Sequence, residues 1–192
     1  MPSPATAATT LFSLGAVKTW LGLEIAEHKL DELLVRIADA VSARIEQATG
    51  WMFVTRTVPE TWDGNDRDVR YLRARPIASV TSVTVDGAVV DASRYVLDGR
   101  MGRVALISGT FGRGRGNCTA IVQAGFAAQD HASLPQDIVQ AGLDYVKVVH
   151  DEKTSGAIAA SSISIGPAQM VLKPGLPPGI QAVLKSWKDT RA

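Results

Sequence analysis

Hydrophobic side chains recur along the chain at the spacing of an amphipathic helix in four places. Residues 26–48 carry the clearest pattern, an apolar stripe at three- and four-residue intervals. Its members are Leu30, Leu33, Leu34, Ile37, Val41 and Ile45. Similar but shorter patterns predict helices over residues 15–21, 134–150 and 180–188.

Between residues 51 and 126 the period shortens to two, which is typical of β-strands. Val80, Val83 and Val85, with Thr81 and Thr84 between them, give strong β-propensity, and Asp86-Gly87 favours a tight hairpin turn. Further short strands are expected around residues 53–60, 69–72, 95–97, 103–107 and 118–124. The predicted class is therefore α+β: a small helical bundle with an antiparallel β-insert and a jointed C-terminal helix.

The order of these patterns divides the chain into three parts. Residues 1–12, rich in Ala, Thr and Pro, are expected to form a disordered leader. Residues 13–152 are expected to form the helical bundle, with the β-insert at about 51–126. Residues 153–192 are expected to hold a loop or strand, a proline-rich joint and a docking helix.

Composition narrows the class of protein. The chain has 192 residues, 46% of them hydrophobic, and a formal net charge of +1. So small a charge argues against a strong nucleic-acid binder, because tight phosphate binding needs a basic excess. Cys118 is the only cysteine, which excludes an internal disulfide and a cysteine-based zinc site. No apolar run approaches the roughly 18–20 residues of a membrane span, so no membrane partner is expected.

Residue types that could form a catalytic or metal site are scattered. Asp130, His131 and Ser133 contain the side chains of a hydrolytic triad, but sequence neighbours do not generally present the geometry that a triad needs. The aspartates of residues 63–68 lack the glycine and the terminal glutamate of a calcium loop in register. We therefore expect no catalytic residue, no metal and no cofactor. A small hydrolase using Ser133 and His131 remains a less favoured alternative.

A glycine- and arginine-rich segment, GTFGRGRG at residues 109–116, separates two predicted strands. It lacks the Lys-Ser or Lys-Thr pair that follows the glycines of a phosphate-cradling P-loop. Arg113 and Arg115, at a hairpin tip, are either solvated loop residues or contacts to a phosphate backbone. A nucleic-acid-binding module that uses this loop is therefore an alternative function.

The last helical pattern follows a proline-rich joint, KPGLPPG at residues 173–179, whose composition favours extended backbone. A helix of about two to three turns is marginal alone in water, so its apolar face must pack on another surface. That face holds Ile180, Val183, Leu184 and Trp187. We expect it to dock on a partner protein.

Taken in order, these segments resemble the head–tail connector family of tailed phages, the adaptor proteins found also in prophages and gene-transfer agents. The resemblance rests on VKTWLGL and LDELLVRIADAVSARIEQATG in the helical part and on RPIASVTSVTVDG, Tyr95 and the Gly102 turn in the β-insert. AGF and LPQDIVQA follow in the expected order. The likeness covers residues 11–150, with a weaker echo in LPPGIQAVLKSW. The leader and the GRGRG loop are not recognised as family features.

The resemblance implies a structural protein of the virion neck, made in the bacterial cytoplasm and located at the head–tail junction. Such adaptors form a ring, usually of twelve copies, under the portal, and the ring extends the DNA channel. The implied partners are the portal protein, the next neck (stopper) or tail protein, further copies of the chain and, transiently, DNA. The portal is the partner we expect for the C-terminal helix. The family has no enzymatic site to carry over. Another neck or tail-completion protein is the structural alternative.

Overall fold

A computed structural model describes residues 10–126, 134–154, 165–166, 169–170 and 176–188. Helices and antiparallel sheets are both present, which confirms the predicted α+β class. The chain divides into two compact units, one made of residues 1–50 and 129–192 and the other of residues 51–128. The first contains the α-helices of the described chain and is called here the helical unit, while a short 3-10 helix, Ala92–Arg94, lies in the second. The second contains both of the larger sheets and is called the β-unit.

In the helical unit, amphipathic helices pack around a shared apolar core. The helices are α1 (Leu14–Leu21), α2 (Asp31–Thr49), α3 (Gln136–Thr154) and α4 (Pro178–Trp187). Helix α2 turns Leu34, Ile37, Val41 and Ile45 inward, as its three- and four-residue spacing predicts. Helices α2 and α3 contact each other, and each also contacts α1 and α4, so this pair forms the centre of the unit.

Helix α2 begins at Asp31, later than the expected start at residue 26. The cause is Lys18 of α1, whose side chain is buried. Its ammonium group donates to the carbonyl of Ile25 at 3.0 Å and to that of Glu27, and it pairs with Oδ1 of Asp31 at 2.5 Å. Carbonyls turned toward a buried lysine satisfy that cation and are not available for the first helical turn. His28 closes the arrangement by contacting Oδ2 of Asp31 at 2.7 Å.

The expected leader, residues 1–12, includes three residues that belong to the core instead. Leu11 and Phe12 are buried, and Thr10 contacts Asp39 of α2. The backbone N–H of Leu11 donates to Oγ of Ser42 at 3.0 Å. Residues 10–12 therefore line the helical unit, because α2 offers both an apolar surface and polar partners for this segment. Residues 1–9 lie outside the described part of the chain.

The β-unit consists of two antiparallel sheets. Its strands are β1 (Arg56–Gly64), β2 (Val69–Tyr71), β3 (Ile77–Val85), β4 (Ala88–Val90), β5 (Tyr95–Asp98), β6 (Arg103–Leu106) and β7 (Gly114–Ala124). The four-stranded sheet has the order β1-β7-β3-β4 and the three-stranded sheet the order β2-β6-β5. Asp86 and Gly87 join β3 to β4 with φ angles of 51° and 80°, the left-handed conformation that a two-residue hairpin turn requires.

The sheets of the β-unit enclose one apolar cluster. Val83, Val104 and Val122 are fully buried in it, and Cys118 is buried beside them. Trp62 and Phe111 meet edge to face with their ring centroids 5.5 Å apart. This core holds the ends of the strands, and the loops between them, in fixed positions.

A further two-stranded hairpin, β8 (Ile165–Gly166) with β9 (Gln169–Met170), belongs to the helical unit. Much of the segment in which a loop or strand is expected, residues 155–164 and 167–168, lies outside the described residues, as do residues 173–175 of the proline-rich joint. Within the described ranges, no helix combines the length and the apolar character that crossing a membrane requires.

Candidate interaction surfaces

The glycine- and arginine-rich segment lies at one end of the four-stranded sheet, against the segment that follows β1. Two backbone hydrogen bonds join them: Asp66 N–H donates to Phe111 O at 2.9 Å, and Phe111 N–H donates to Arg67 O at 2.8 Å. Phe111 itself is buried under Trp62. The segment is therefore anchored to the core at its start and by β7 at its end.

Asn117 connects the three chain segments that meet at this end of the sheet. Its side-chain Oδ1 accepts a hydrogen bond from Gly64 N–H at 2.9 Å. Its Nδ2 donates to Oδ1 of Asp86 and to the carbonyl of Gly112, both at 2.9 Å. One amide thus holds the end of β1, the β3–β4 turn and the glycine-rich loop together. We call this arrangement the Asn117 clamp.

Two of the three aspartates in residues 63–68 accept hydrogen bonds from the backbone of the arginine loop. Oδ1 of Asp63 accepts from Gly116 N–H at 2.6 Å, and Oδ1 of Asp66 accepts from Arg113 N–H at 2.9 Å. Carboxylates that accept from backbone N–H groups form strong, charge-assisted hydrogen bonds. These bonds fix the loop on either side of the two arginines.

Gly64 is required by the close approach of the two segments. A Cβ atom at Gly64 would lie 1.9 Å from the carbonyl oxygen of Gly112, which is backbone and cannot move aside independently. Within the loop, a Cβ atom at Gly114 would lie 2.5 Å from the side-chain amide of Asn117, while Gly109 and Gly116 have φ angles of 82° and 58°, in the left-handed region that favours glycine. Close packing and backbone conformation therefore account for three of the four glycines of GTFGRGRG.

The structure brings Arg113 and Arg115 together on this fixed loop, with both side chains exposed. The side chain of Arg113 is 85% exposed, and its Nε lies 3.5 Å from Oδ2 of Asp66. A surface ion pair of this kind contributes little to stability. Asp66 lies beside Arg113, and Asp63 and Asp86 accept hydrogen bonds from Gly116 and Asn117, so three carboxylates lie at the same end of the sheet as the arginines.

The expected docking face of α4 is largely covered by the chain's own helices. Ile180 and Leu184 are buried, because α4 packs on α2 and α3. The expectation that all four apolar side chains of α4 dock on a partner is therefore corrected for Ile180 and Leu184, which the chain's own helices cover. Val183 and Trp187 remain partly exposed. A docking role for α4 rests on Val183 and Trp187 and stays a prediction.

The histidines make local contacts. Nδ1 of His28 lies 2.7 Å from Asp31, and that of His150 lies 3.3 Å from Asp151. Asp130, His131 and Ser133 fall outside the described residues, and among the described residues no group of three His, Cys, Asp or Glu side chains could hold a metal ion. Burial raises the pKa of the Cys118 thiol, so the reactive thiolate is disfavoured.

Comparison with models of protein families shows which family the chain belongs to. The family model described as head completion protein matches residues 10–190, nearly the whole chain. The chain belongs to the head completion protein family. This match confirms the resemblance to the head–tail connector proteins, which rested on the order of short segments. No curated protein matches the sequence.

Solved structures share the fold of this family member. A chain from the neck of an empty gene transfer agent particle, computed with C6 symmetry, has a TM-score of 0.70 and 19% identity, covering 100% of this chain and 94% of that one. A chain from the virion of a native gene transfer agent has a TM-score of 0.70 at 20% identity, and one from a native neck computed with C12 symmetry has 0.65 at 20%. These two alignments cover 98% of this chain and 94% of the other.

Proposed function

We propose that the protein is a structural adaptor of a virion neck, which forms a ring under the portal and joins the head to the tail or to the next neck protein. The observation that carries the proposal is the head completion family match over residues 10–190. The fold shared with chains of gene transfer agent necks, over 94% of their length, supports it. The proposed location is the head–tail junction of a virion.

A ring of twelve copies is the assembly we propose. Necks of two similar particles were computed with C6 and C12 symmetry, both of which accommodate twelve equivalent or nearly equivalent positions. A closed ring arises when one surface of a subunit binds a different surface of the next. Each such interface can be small, because many contacts made on one template act together.

The Arg113–Arg115 loop is proposed to face the DNA channel of that ring. The Asn117 clamp and two aspartates fix its backbone, while both arginine side chains reach into solvent. DNA that must slide through a channel should meet few strong phosphate contacts, since each one adds affinity. A net charge of +1 and aspartates beside the arginines are consistent with this requirement.

The proposal is tested by imaging the full chain mixed with its cognate portal. We expect the free protein to sediment as a monomer or a weak oligomer and to form a ring on the portal, seen as added density on one face of the portal particle. Portal alone is the control. A stable dimer that forms without the portal and does not bind it would contradict the proposal.

A nucleic-acid-binding module is the second candidate, favoured only by the exposure of Arg113 and Arg115. Binding through two arginines should give a slope of about −2 or shallower for log affinity against log salt concentration. Steep, tight DNA binding by the isolated chain, without any portal binding, would favour the module over the adaptor.

A further inference from the structure

The three-stranded sheet of the β-unit has one apolar face that stays in solvent. Cross-strand neighbours place Val69, Ala105 and Val96 side by side on this face, because successive residues of a strand point to opposite sides. Tyr71 lies two residues further along β2. Ile107 follows β6 on the same side, and its N–H continues the ladder by donating to Arg94 O at 2.9 Å. We call these five residues the outer sheet face.

Exposure separates the two faces of this sheet. On the inner side, Leu72 and Val104 are buried in the core of the β-unit, and Leu97 packs against them. On the outer side, Tyr71 is 52% exposed, Val96 54% and Ile107 64%. A one-sided sheet normally carries polar residues on its solvent face. Clustered apolar side chains in that position are the usual mark of an interaction surface.

We propose that the outer sheet face is the surface by which one copy of this chain binds the next copy in the ring. The inference rests on the proposed function, since it names the contact that the neck ring needs. A heterologous ring interface requires a surface on each copy that is buried only in the assembly. Within the described residues, the outer sheet face combines apolar side chains with a rigid backbone fixed by pairing on both sides of β6.

A second copy is the occupant we propose, and charge does not oppose it. Asp98 and Arg103 are opposite each other at one end of the sheet and balance one another's charge. The whole chain carries only +1, so two identical copies repel each other very weakly. The C6 and C12 symmetry of the similar necks places equivalent chains at repeated positions around one axis in those particles, so the neighbour of each copy in such a ring is another copy. A contact centred on apolar side chains with balanced charge at its border fits these conditions.

The test compares self-association and ring formation in full-length variants. Val96→Asp and Ile107→Asp, singly and together, place charge at the centre of the outer sheet face. Val89→Asp is the matched control, because Val89 is a more exposed valine, at 73%, in edge strand β4 of the other sheet. Val96→Thr keeps the β-branched shape but makes the side chain polar, so it still tests the face if the Asp variants do not fold. Thermal melting establishes that each variant is folded.

Two measurements follow. Sedimentation velocity over a concentration series without portal should show weak self-association of the wild type, weakened about tenfold or more by the double Asp variant. Native mass spectrometry should show complete rings on the portal for the wild type and Val89→Asp. The double Asp variant should bind the portal only as separate copies and should form no complete ring.

The outcomes separate this inference from the proposed function. Complete rings of the folded Asp variants would overturn the inference and leave the adaptor function standing. Loss of even single-copy binding would also overturn it, because the face would then meet the portal. If Val89→Asp also failed to form rings, the effect would not be specific to the outer sheet face, and the inference would fail. If the wild type self-associates through the face but ignores the portal, the proposed function fails and the inference stands.

Discussion

Trp187 in α4 donates a hydrogen bond of 2.6 Å from its indole Nε1 to Oδ2 of Asp137, in the first turn of α3. The other oxygen of Asp137 accepts from Ile138 N–H at 2.9 Å. One carboxylate therefore fixes the start of α3 and holds the end of α4 against it. This contact makes the C-terminal helix part of the helical unit in the free chain.

Replacing Trp187 with Phe should destabilise the helical unit by about 1–2 kcal/mol, because a hydrogen bond to a charged group is lost while most of the ring remains. Asp137→Asn should cost a similar amount. The double variant should cost clearly less than the sum, since the two side chains share one interaction. Chemical denaturation of the four proteins measures this coupling. Strict additivity would mean that the hydrogen bond contributes nothing to stability.

Leu184→Ala should destabilise the protein by about 2–4 kcal/mol, because it leaves a cavity where α4 packs on α2 and α3. The neighbouring exposed residue provides the control: Lys185→Ala should stay within about 0.5 kcal/mol of wild type. Urea denaturation of both variants checks the difference. If the two variants were equally stable, Leu184 would contribute no more to the core than an exposed residue does. The docking face expected from the sequence would then again include it.

The class and the order of the elements could be predicted because both depend on local periodicity. The apolar stripe of α2 and the β-propensity of the Val and Thr residues in β3 are local properties that need no knowledge of distant residues. The start of α2 could not be predicted in the same way, because it depends on the buried amine of Lys18 in another helix. The burial of Ile180 and Leu184 was missed for a related reason. An amphipathic pattern identifies an apolar face and does not say which surface covers it.

Arg113 and Arg115 were identified from composition, yet the residue that positions their loop was not. Asn117 acts on Gly64, Asp86 and Gly112, which come together only in the folded sheet. A single asparagine beside a glycine-rich segment is too common to signal such a role. The outer sheet face was also missed, since assigning its residues to one side requires the register of β2, β6 and β5.

Gly142→Ala should destabilise the protein although alanine is the better helix former. A Cβ atom there would lie 2.2 Å from Cζ of Phe12 and 3.0 Å from Cδ1 of Ile45, and Phe12 is buried. Overpacking should cost about 1–3 kcal/mol, more than the roughly 1 kcal/mol gained in helix propensity. Gly15→Ala in α1 is the control, because its Cβ would meet nothing within 4 Å.

That control should gain stability, by up to about 1 kcal/mol, since alanine restricts the unfolded chain and fits the helix. Thermal melting of both variants gives the sign directly. A gain in both would mean that Phe12 moves aside without cost, and that residues 10–12 are only loosely held against the helices.

Changing Arg113 and Arg115 together to Ala should leave the free energy of unfolding within about 0.5 kcal/mol of wild type, because both side chains lie in solvent. Asn117→Ala should behave in the opposite way. It removes three hydrogen bonds at a half-buried site and leaves Gly64 N–H and Gly112 O without this partner, which should cost about 1–3 kcal/mol.

Asn117→Ala therefore tests the hydrogen bonds that position the loop, whereas the double Arg variant tests the contribution of the two arginine side chains. If the loop faces the DNA channel, the double Arg variant should form normal rings on the portal while its retention or passage of DNA changes. DNA retention in assembled particles, counted against particles carrying wild-type protein, measures this effect. If the double Arg variant retained and passed DNA like the wild type, the proposal that the loop faces the channel would be wrong. A large loss of stability in the double Arg variant would instead show that the two arginines have a structural role.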